Sequence, residues 1–449
     1  MTIAAAPASP STAIPNRGAA PARYSAQGHA AAGYRAPPAL TARQGSIRVA
    51  ARRVSRPRFE QKSPSAGRWR PAFANVRRPK LRLQQATAAA QSTPVSEHKM
   101  QVLASRAEPI AEPGTRIHQR AIRPTDASYS ERNWQVVAEY WHPVAYSEEV
   151  AADPVAAVLL DVKLVLYRLD GQITAAHDQC PHRGVKLSSG AIKNGRLTCP
   201  YHGLGFGKDG VCERVPAHES PNRVHRYLNL ETFPTVEHLG LIWVCLNAKP
   251  EHSLPQWSDI FGPGRLVATL SSDWSASAGR HVENFCDSAH FAFAHVGTFG
   301  VEEEPTVSPP RIERTAHGFN IAADLPMKMS ADNSSEMVKT EYEIFLPYSV
   351  RMKMQSSSGV FDICDFASPI TLTHIRIFQI ISRDFDTDGD ATLLIEAQRS
   401  VNEEDRVVVE SQNPISLPLL PQAERHIGSD HFSIEYRKWW MEFQLTDPV

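Results

Sequence analysis

From about Asn133 onward the apolar residues fall into short blocks separated by Gly, Pro, Asn and Asp. Ala156-Ala-Val-Leu-Leu and Leu164-Val-Leu-Tyr-Arg read as strands, being rich in β-formers. Asp170-Gly171 is a hairpin turn signal, and Gln172-Ile-Thr-Ala-Ala follows it as the next strand. Phe206-Gly-Lys-Asp-Gly210 is a further turn, and Leu239-Gly-Leu-Ile-Trp-Val-Cys-Leu a buried strand. Trp134-Gln-Val-Val-Ala and Trp141-His-Pro-Val-Ala open this unit, which the pattern predicts to be all-β up to residue 250. Residues 251–264 carry Pro and Gly and read as a linker. Past Leu266 the pattern mixes periods. A helix is predicted over 279–296, and β-rich stretches over Thr340–Leu346, Val350–Met354 and Thr371–Ile381. Ser400–Gln412 reads as a helix with Asn402 as N-cap and Glu403, Glu404 and Asp405 in its first turn. A last helix is predicted over His431–Gln444. The fold class is α+β, an all-β domain followed by an α+β domain.

Composition divides the chain differently. Apolar residues make up 42% of it, enough for sizeable cores, and no apolar run reaches the ~18 residues that span a bilayer. Residues 1–99 hold 14 Arg and 3 Lys against 2 Glu, with no acidic residue before Glu60, whereas the remainder holds 31 basic and 46 acidic residues. This Ala/Pro/Arg-rich stretch has no sustained apolar period, so an extension over 1–125 is expected to be disordered. Three readings fit it: a translation start at Met100, a disordered tail without a catalytic role, or a transit peptide. The first is favoured. A secretory signal is excluded by the missing apolar core. A nucleic-acid or membrane arm is disfavoured, with little aromatic interleaving beyond Tyr24, Tyr34 and Trp69. The domains expected are then 126–250 and 251–449.

The cysteines and histidines carry the chemistry. Cys180-Pro-His182 is followed by Cys199-Pro-Tyr-His202, giving C-x-H-x16-C-x2-H. This interleaved pattern is the ligand set of a Rieske [2Fe–2S] cluster, with two thiolates on one iron and two imidazoles on the other. Zinc ribbons use short Cys pairs instead. Both segments, CPHRG and CPYHG, close on a Gly that permits a tight loop. Rieske proteins of respiratory complexes carry an extra Cys in each loop, where this chain has Val185 and Tyr201. The loops therefore resemble the ferredoxin and oxygenase type. Cys212, Cys245, Cys286 and Cys364 are expected to be buried structural thiols.

A second constellation is Glu283-Asn-Phe-Cys-Asp287-Ser-Ala-His290-Phe-Ala-Phe-Ala-His295. Ferrous oxygenases use two His and one carboxylate on one face of the metal, leaving positions open. Asp287 and His290 are three apart and share a helix face. His290 and His295 are five apart, about 140° around an ideal helix, so convergence needs a local distortion. Phe285, Phe291 and Phe293 could equally be an apolar stripe beside ordinary histidines. The coupling to a Rieske motif favours the metal.

From about residue 133 onward the chain resembles the α subunit of Rieske non-haem iron oxygenases, near the vanillate O-demethylase, phthalate-type and toluenesulfonate-type enzymes. CPHRG, CPYHGLGF, ENFCDSAHFAFAHVGTFG and EYRKWW carry the resemblance. It implies an all-β Rieske domain followed by a helix-grip-like catalytic domain, an antiparallel sheet with helices. It implies a cluster on Cys180, His182, Cys199 and His202, and a mononuclear Fe(II) on His290 and His295. Asp405 matches the position of the third ligand. Asp384, Asp386, Asp388 and Asp390 read instead as a solvated hairpin turn, and Asp362 and Asp365 stay open. Asp287 is implied to bridge to His202 of a neighbouring copy, so a homotrimer with cross-subunit electron transfer is expected. The implied co-substrate is O2, with NAD(P)H oxidised by a separate flavin/[2Fe–2S] reductase or a ferredoxin chain. The implied reaction is hydroxylation, or O- or N-demethylation, of a small aromatic or similar substrate. Ring cis-dihydroxylation, often with a β subunit, is the alternative, and a pure electron carrier the remote one. Cytoplasmic location follows, with neither nucleic acid nor membrane as partner. Arg183, Lys186, Lys193 and Arg196 are solvated charges or a dock for an acidic reductase. Met327, Met329, Met352 and Met354 are expected as core filler rather than pocket lining.

Overall fold

The structure, a computed structural model, describes residues 120–218, 220, 226–329, 334–420 and 422–449. The expectations for residues 1–99 lie outside the described residues. All described residues belong to one compact unit. Residues 120–125, grouped with the extension on composition, instead pair with the folded part. Ala121 is buried and its N–H donates to Leu246 O at 2.9 Å.

Among the described residues the first element is a helix, Glu131–Val137, where only strands were expected. Ser130 caps it by accepting from Asn133 N, and its buried Trp134 donates to Leu160 O at 3.0 Å. The β part then follows the predicted turns. Antiparallel strands Trp141–Tyr146, Leu241–Cys245 and Thr235–His238 make one sheet. Val155–Leu159, Val162–Leu169, Gln172–His177 and Thr232–Phe233 make a second. Asp170 and Gly171 take φ values of 49° and 78°, as a two-residue hairpin requires. A third small sheet holds Ala191–Lys193, Arg196–Thr198, Gly205–Phe206 and Cys212–Arg214.

His142 reports on this packing. It is buried on the first strand, and its Nε2 donates to Val137 O at 2.9 Å. Burial pushes its imidazole down to about 4, although the Val137 bond pulls the other way. Between that value and the ordinary 6.5, the unfolded chain binds a proton that the folded chain refuses. The contribution is therefore present above pH 6.5 and lost as pH falls toward 4, about 3 kcal/mol in all. Urea unfolding at stepped pH is expected to show that slope, and His142→Gln to flatten it.

The second half is built on one seven-stranded antiparallel sheet. Its order is Leu266–Trp274, His374–Arg383, Gly359–Thr371, Ser349–Ser356, Glu336–Phe345, Gly318–Met327 and Arg311–Arg314. The stretch Thr371–Ile381, expected as one β segment, is cut by the turn at Leu372 and Thr373. The two halves share a core. Trp243 and Trp257 pack on Phe366 at 5.2 and 5.8 Å between ring centres, and Tyr146 Oη donates to Leu270 O at 2.7 Å.

Helices depart most from expectation. The predicted 279–296 helix is two pieces, Ala278–Phe285 and Phe291–Ala294, with Asp287 and Ser288 outside both. The late helix is Ala391–Glu410, starting nine residues before the expected Ser400. Its N-cap is Asp390, whose side chain accepts from Thr392 N at 2.8 Å. Asn402 lies inside the helix and is no cap. The aspartate-rich run 384–390 is a strand-to-helix turn rather than a hairpin. The last helix is His431–Glu442. Among the described residues no helix is long and apolar enough to cross a membrane.

Candidate active site

The two Cys/His segments fold into twin loops. Cys180 N donates to Val185 O and Gly184 N to Cys180 O, both at 2.8 Å. Cys199 N donates to Leu204 O at 2.9 Å and Gly203 N to Cys199 O at 3.1 Å, the same pattern two strands later. Gly184 and Gly203 have φ of 73° and 72°, so each loop closes in the left-handed region that favours glycine. Both thiols are buried, while His182 and His202 are exposed with ring centres 4.6 Å apart. Burial pushes the Cys180 thiol up to about 11, with Cys199 pushing the same way. Two covered thiols backing two outward imidazoles match the donor set of a Rieske cluster. Arg183, Lys186 and Lys193 are exposed around it, whereas Arg196 is tied to Glu213 at 2.7 Å. The other four cysteines are buried.

The break between the two helix pieces positions the second constellation. His290 and His295 cap the four-residue helix Phe291–Ala294 at its two ends. Both Nε2 atoms turn to one point, 3.2 Å apart. Asp405, on the helix Ala391–Glu410, brings Oδ1 to 3.3 Å from each. The donor atoms of the three residues all lie within 4.8 Å of one another. Burial would push the Asp405 carboxyl up, but hydrogen bonds to both imidazoles hold it well below the ordinary range. Burial would likewise lower His290, yet Asp287 and Asp405 raise it to about 9. Two imidazole nitrogens and one carboxylate at this spacing form a donor set that can hold a cation, and two His with one carboxylate suit ferrous iron.

Surrounding groups hold the donors in place. His295 Nδ1 donates to Glu404 Oε2 at 2.8 Å, which turns its Nε2 toward His290 and Asp405. Thr298 Oγ1 donates to the same oxygen at 2.8 Å. Asn284 Nδ2 donates to Asp405 Oδ1 at 3.3 Å. His295 stacks on Phe299 with ring centres 4.6 Å apart. Asp287 accepts from Ala289 N at 2.8 Å, and its other oxygen lies 3.7 Å from His290 Nδ1. Its carboxylate is half-buried and makes no hydrogen bond to His202 within the chain.

The rival carboxylates are occupied elsewhere. Asp362 pairs with Arg265 at 2.5 Å and with Arg351 at 2.9 Å. Asp365 pairs with His281 at 2.7 Å, and Asp384 caps Val360 N at 2.7 Å. None of them joins His290 and His295.

A cavity of about 540 Å³ opens beside the three donors. Its wall includes Trp274, Phe285, Phe291, Phe299, Phe361 and Phe385. Met329, Met352 and Met354 also line it, so only Met327 behaves as pure core filler. Strand alternation explains this, since every second residue of Met352–Met354 and Phe361–Ile363 faces the cavity. Phe293 is exposed and lies off the stripe. Sequence reasoning missed His281, Gln379, Gln398 and Asn402, which also line the cavity. A signal existed: Gln398, Asn402 and Asp405 are spaced four and three, one face of a helix. Taking Asn402 as a cap hid it. A second cavity of about 430 Å³ is lined by charged residues such as Asp259, Arg311 and Glu341, and holds none of the three donors.

Two family models match the chain. The Rieske [2Fe-2S] domain covers residues 140–234, and the vanillate O-demethylase oxygenase C-terminal domain covers residues 274–443. The chain is 32% identical over 323 residues to methylxanthine N1-demethylase NdmA of Pseudomonas putida, spanning 69% of this chain and 90% of that protein. The solved structure of Pseudomonas putida NdmA with caffeine aligns with a TM-score of 0.65 at 29% identity, covering 71% of this chain and 98% of that one. The crystal structure of dicamba monooxygenase bound to dicamba shares the fold at a TM-score of 0.60 and 22% identity, covering 69% and 97%.

Proposed function

This chain belongs to the Rieske non-haem iron oxygenases, and from that premise we propose that it demethylates a small aromatic substrate at nitrogen or oxygen. The carrying observation is the convergence of His290, His295 and Asp405 at the wall of a largely aromatic cavity. Cys180, His182, Cys199 and His202 would hold the Rieske cluster, and His290, His295 and Asp405 the mononuclear iron. When bound, the cluster supplies single electrons and the iron activates O2 for insertion into a C–H bond. The aromatic wall holds the substrate ring and excludes water. A hydroxylated N- or O-methyl carbon is a hemiaminal or hemiacetal, which collapses to formaldehyde and the demethylated product.

Exposure supports an electron path shared between copies. His182 and His202 face outward, and Asp287 keeps a half-buried carboxylate. We read Asp287 as the electron bridge to His202 of a neighbouring copy, in a homotrimer. Arg183, Lys186 and Lys193 would receive an acidic reductase or ferredoxin that draws on NAD(P)H. A reducing compartment such as the cytoplasm suits the thiolate ligands. The boundary between the two functional halves falls within 251–264.

Glu404 is read as the residue that orients His295. Removing such an outer partner typically costs 10–100-fold in metal affinity. Glu404→Ala is therefore expected to weaken iron binding at the second site by about that factor, read by metal titration against a chelator.

The deciding experiment is EPR of the reduced, iron-replete protein with nitric oxide. The Rieske signal is the internal control. A high-spin ferrous–nitrosyl signal, followed by formaldehyde release in a substrate screen, supports the oxygenase. A Rieske signal alone would make the chain an electron carrier.

A further inference from the structure

One strip of the cavity wall is polar. His281, Gln379, Gln398 and Asn402 form it, and all four are buried. They are joined into one hydrogen-bonded chain through Asp365, a fully buried residue outside the lining. Gln398 Nε2 donates to Asn402 Oδ1 at 2.9 Å, and Asn402 Nδ2 to Gln379 Oε1 at 2.7 Å. Gln379 Nε2 donates to Asp365 Oδ2 at 2.7 Å, and His281 Nε2 to Asp365 Oδ1 at 2.7 Å. Strand register explains the last junction, since Asp365 and Gln379 are direct partners on neighbouring strands.

This chain has a fixed direction. A lone amide can be turned over with little change of shape. Here the buried Asp365 forbids it, because a carboxylate only accepts. Gln379 must therefore point its NH2 at Asp365 and its oxygen at Asn402. Asn402 must then donate to Gln379 and accept from Gln398. Gln398 must donate to Asn402. Its own oxygen, Oε1, receives no hydrogen bond from a described residue and is not sealed off by protein. Asp365 thus decides, three side chains away, that the strip ends in an acceptor.

Position adds a size. Gln398 lies two helical turns before Asp405, about 10 Å along the axis. A single or fused ring between them would meet Gln398 at one end and the three metal donors at the other.

We propose, resting on the reading that this cavity holds the substrate, that Gln398 is its orienting residue and selects planar aromatics carrying an N–H or O–H opposite the methyl group that is lost. Asp365 is a positioning residue that acts through Gln379 and Asn402. A substrate with a methyl in place of that hydrogen leaves Oε1 unpaired, the kind of loss that costs about tenfold or more in affinity.

Two matched pairs test this. 4-Methoxyphenol and 1,4-dimethoxybenzene differ by one O–H, and theobromine and caffeine by one N–H. Each probe is titrated calorimetrically into the iron-loaded full chain without oxygen. In at least one pair the donor-bearing member is expected to bind at least about tenfold more tightly. Gln398→Met should shrink that preference to within about twofold by removing the acceptor. Asp365→Asn should shrink it too, because an amide both donates and accepts and lets the chain run in either direction, although Asp365 touches no substrate. Equal binding within both pairs, preference for the methylated members, or no binding of either donor probe overturns the proposal. So does a preference that persists in Gln398→Met, or in Asp365→Asn where the first variant does not fold. A ferrous–nitrosyl signal without any donor preference would sink this inference and leave the oxygenase standing. Absence of the nitrosyl signal would instead remove the reading beneath it.

Discussion

Asp405→Ala is expected to empty the second iron site while leaving the Rieske signal at full intensity. The two imidazole nitrogens would remain 3.2 Å apart with no anion to balance a dication. Outer partners of metal ligands are worth 10–100-fold, so loss of a direct ligand should reduce formaldehyde release by at least ~100-fold. Glu404 cannot substitute, because its carboxylate is already engaged by His295 Nδ1 and Thr298 Oγ1. Iron analysis per chain and EPR with nitric oxide give the readout. Asp388→Ala, on the exposed turn before the helix, is the control and should retain both signals. If Asp405→Ala keeps its second iron and normal turnover, the ligand assignment is wrong.

Arg437→Ala is expected to cost about 3–5 kcal/mol of stability. Arg437 lies in the closing EYRKWW and is 4% exposed, so water cannot replace what it does. It grips Glu283 through two bonds of 2.7 Å and also reaches Glu424 at 2.6 Å. Arg280 completes the group, bonding Glu424 at 2.5 Å. Burial would raise the Glu424 carboxyl, but Arg280 and Arg437 hold it below its ordinary range. Truncating Arg437 leaves Glu283 buried with only Arg280 at 3.6 Å. Isolated domains hold only ~5–15 kcal/mol, so a loss of this size is a large fraction. Glu283 sits on the helix Ala278–Phe285, just before the break that leads to Asp287 and His290, so second-site iron should weaken as well. Arg437→Lys keeps the charge but not the planar fork, and should fall between. Urea unfolding followed by cluster absorbance measures it, and a change below about 1 kcal/mol would contradict the assignment.

The late helix shows where pattern reading stops. Glu403, Glu404 and Asp405 are visible as an acidic run, and Asp405 matches the position of the third ligand in the family that the chain resembles. The run was read as a first turn because acids favour that place. In the fold Asp390 takes the cap and those residues lie deep in a 20-residue helix. The extra turns create the face that carries Gln398 and Asn402. The split between Phe285 and Phe291 was similarly invisible. Five-residue spacing demanded a distortion, but nothing in Cys286-Asp287-Ser288 fixed where it would fall.

The sequence by itself determined the metal chemistry and the β patterning. Ligand type, short spacing and turn glycines are local properties, and Cys180–Gly184 and Cys199–Gly203 satisfy their own hydrogen bonds inside five-residue loops. Tertiary structure alone decided what meets across distance. Asp405 reaches His290 and His295 across more than a hundred residues. Asp365 directs Gln398 through two intervening amides. Methionines at 352 and 354 became cavity wall because their strand turns that face inward. Such contacts depend on register and helix placement, which apolar periodicity specifies only by face, never by partner.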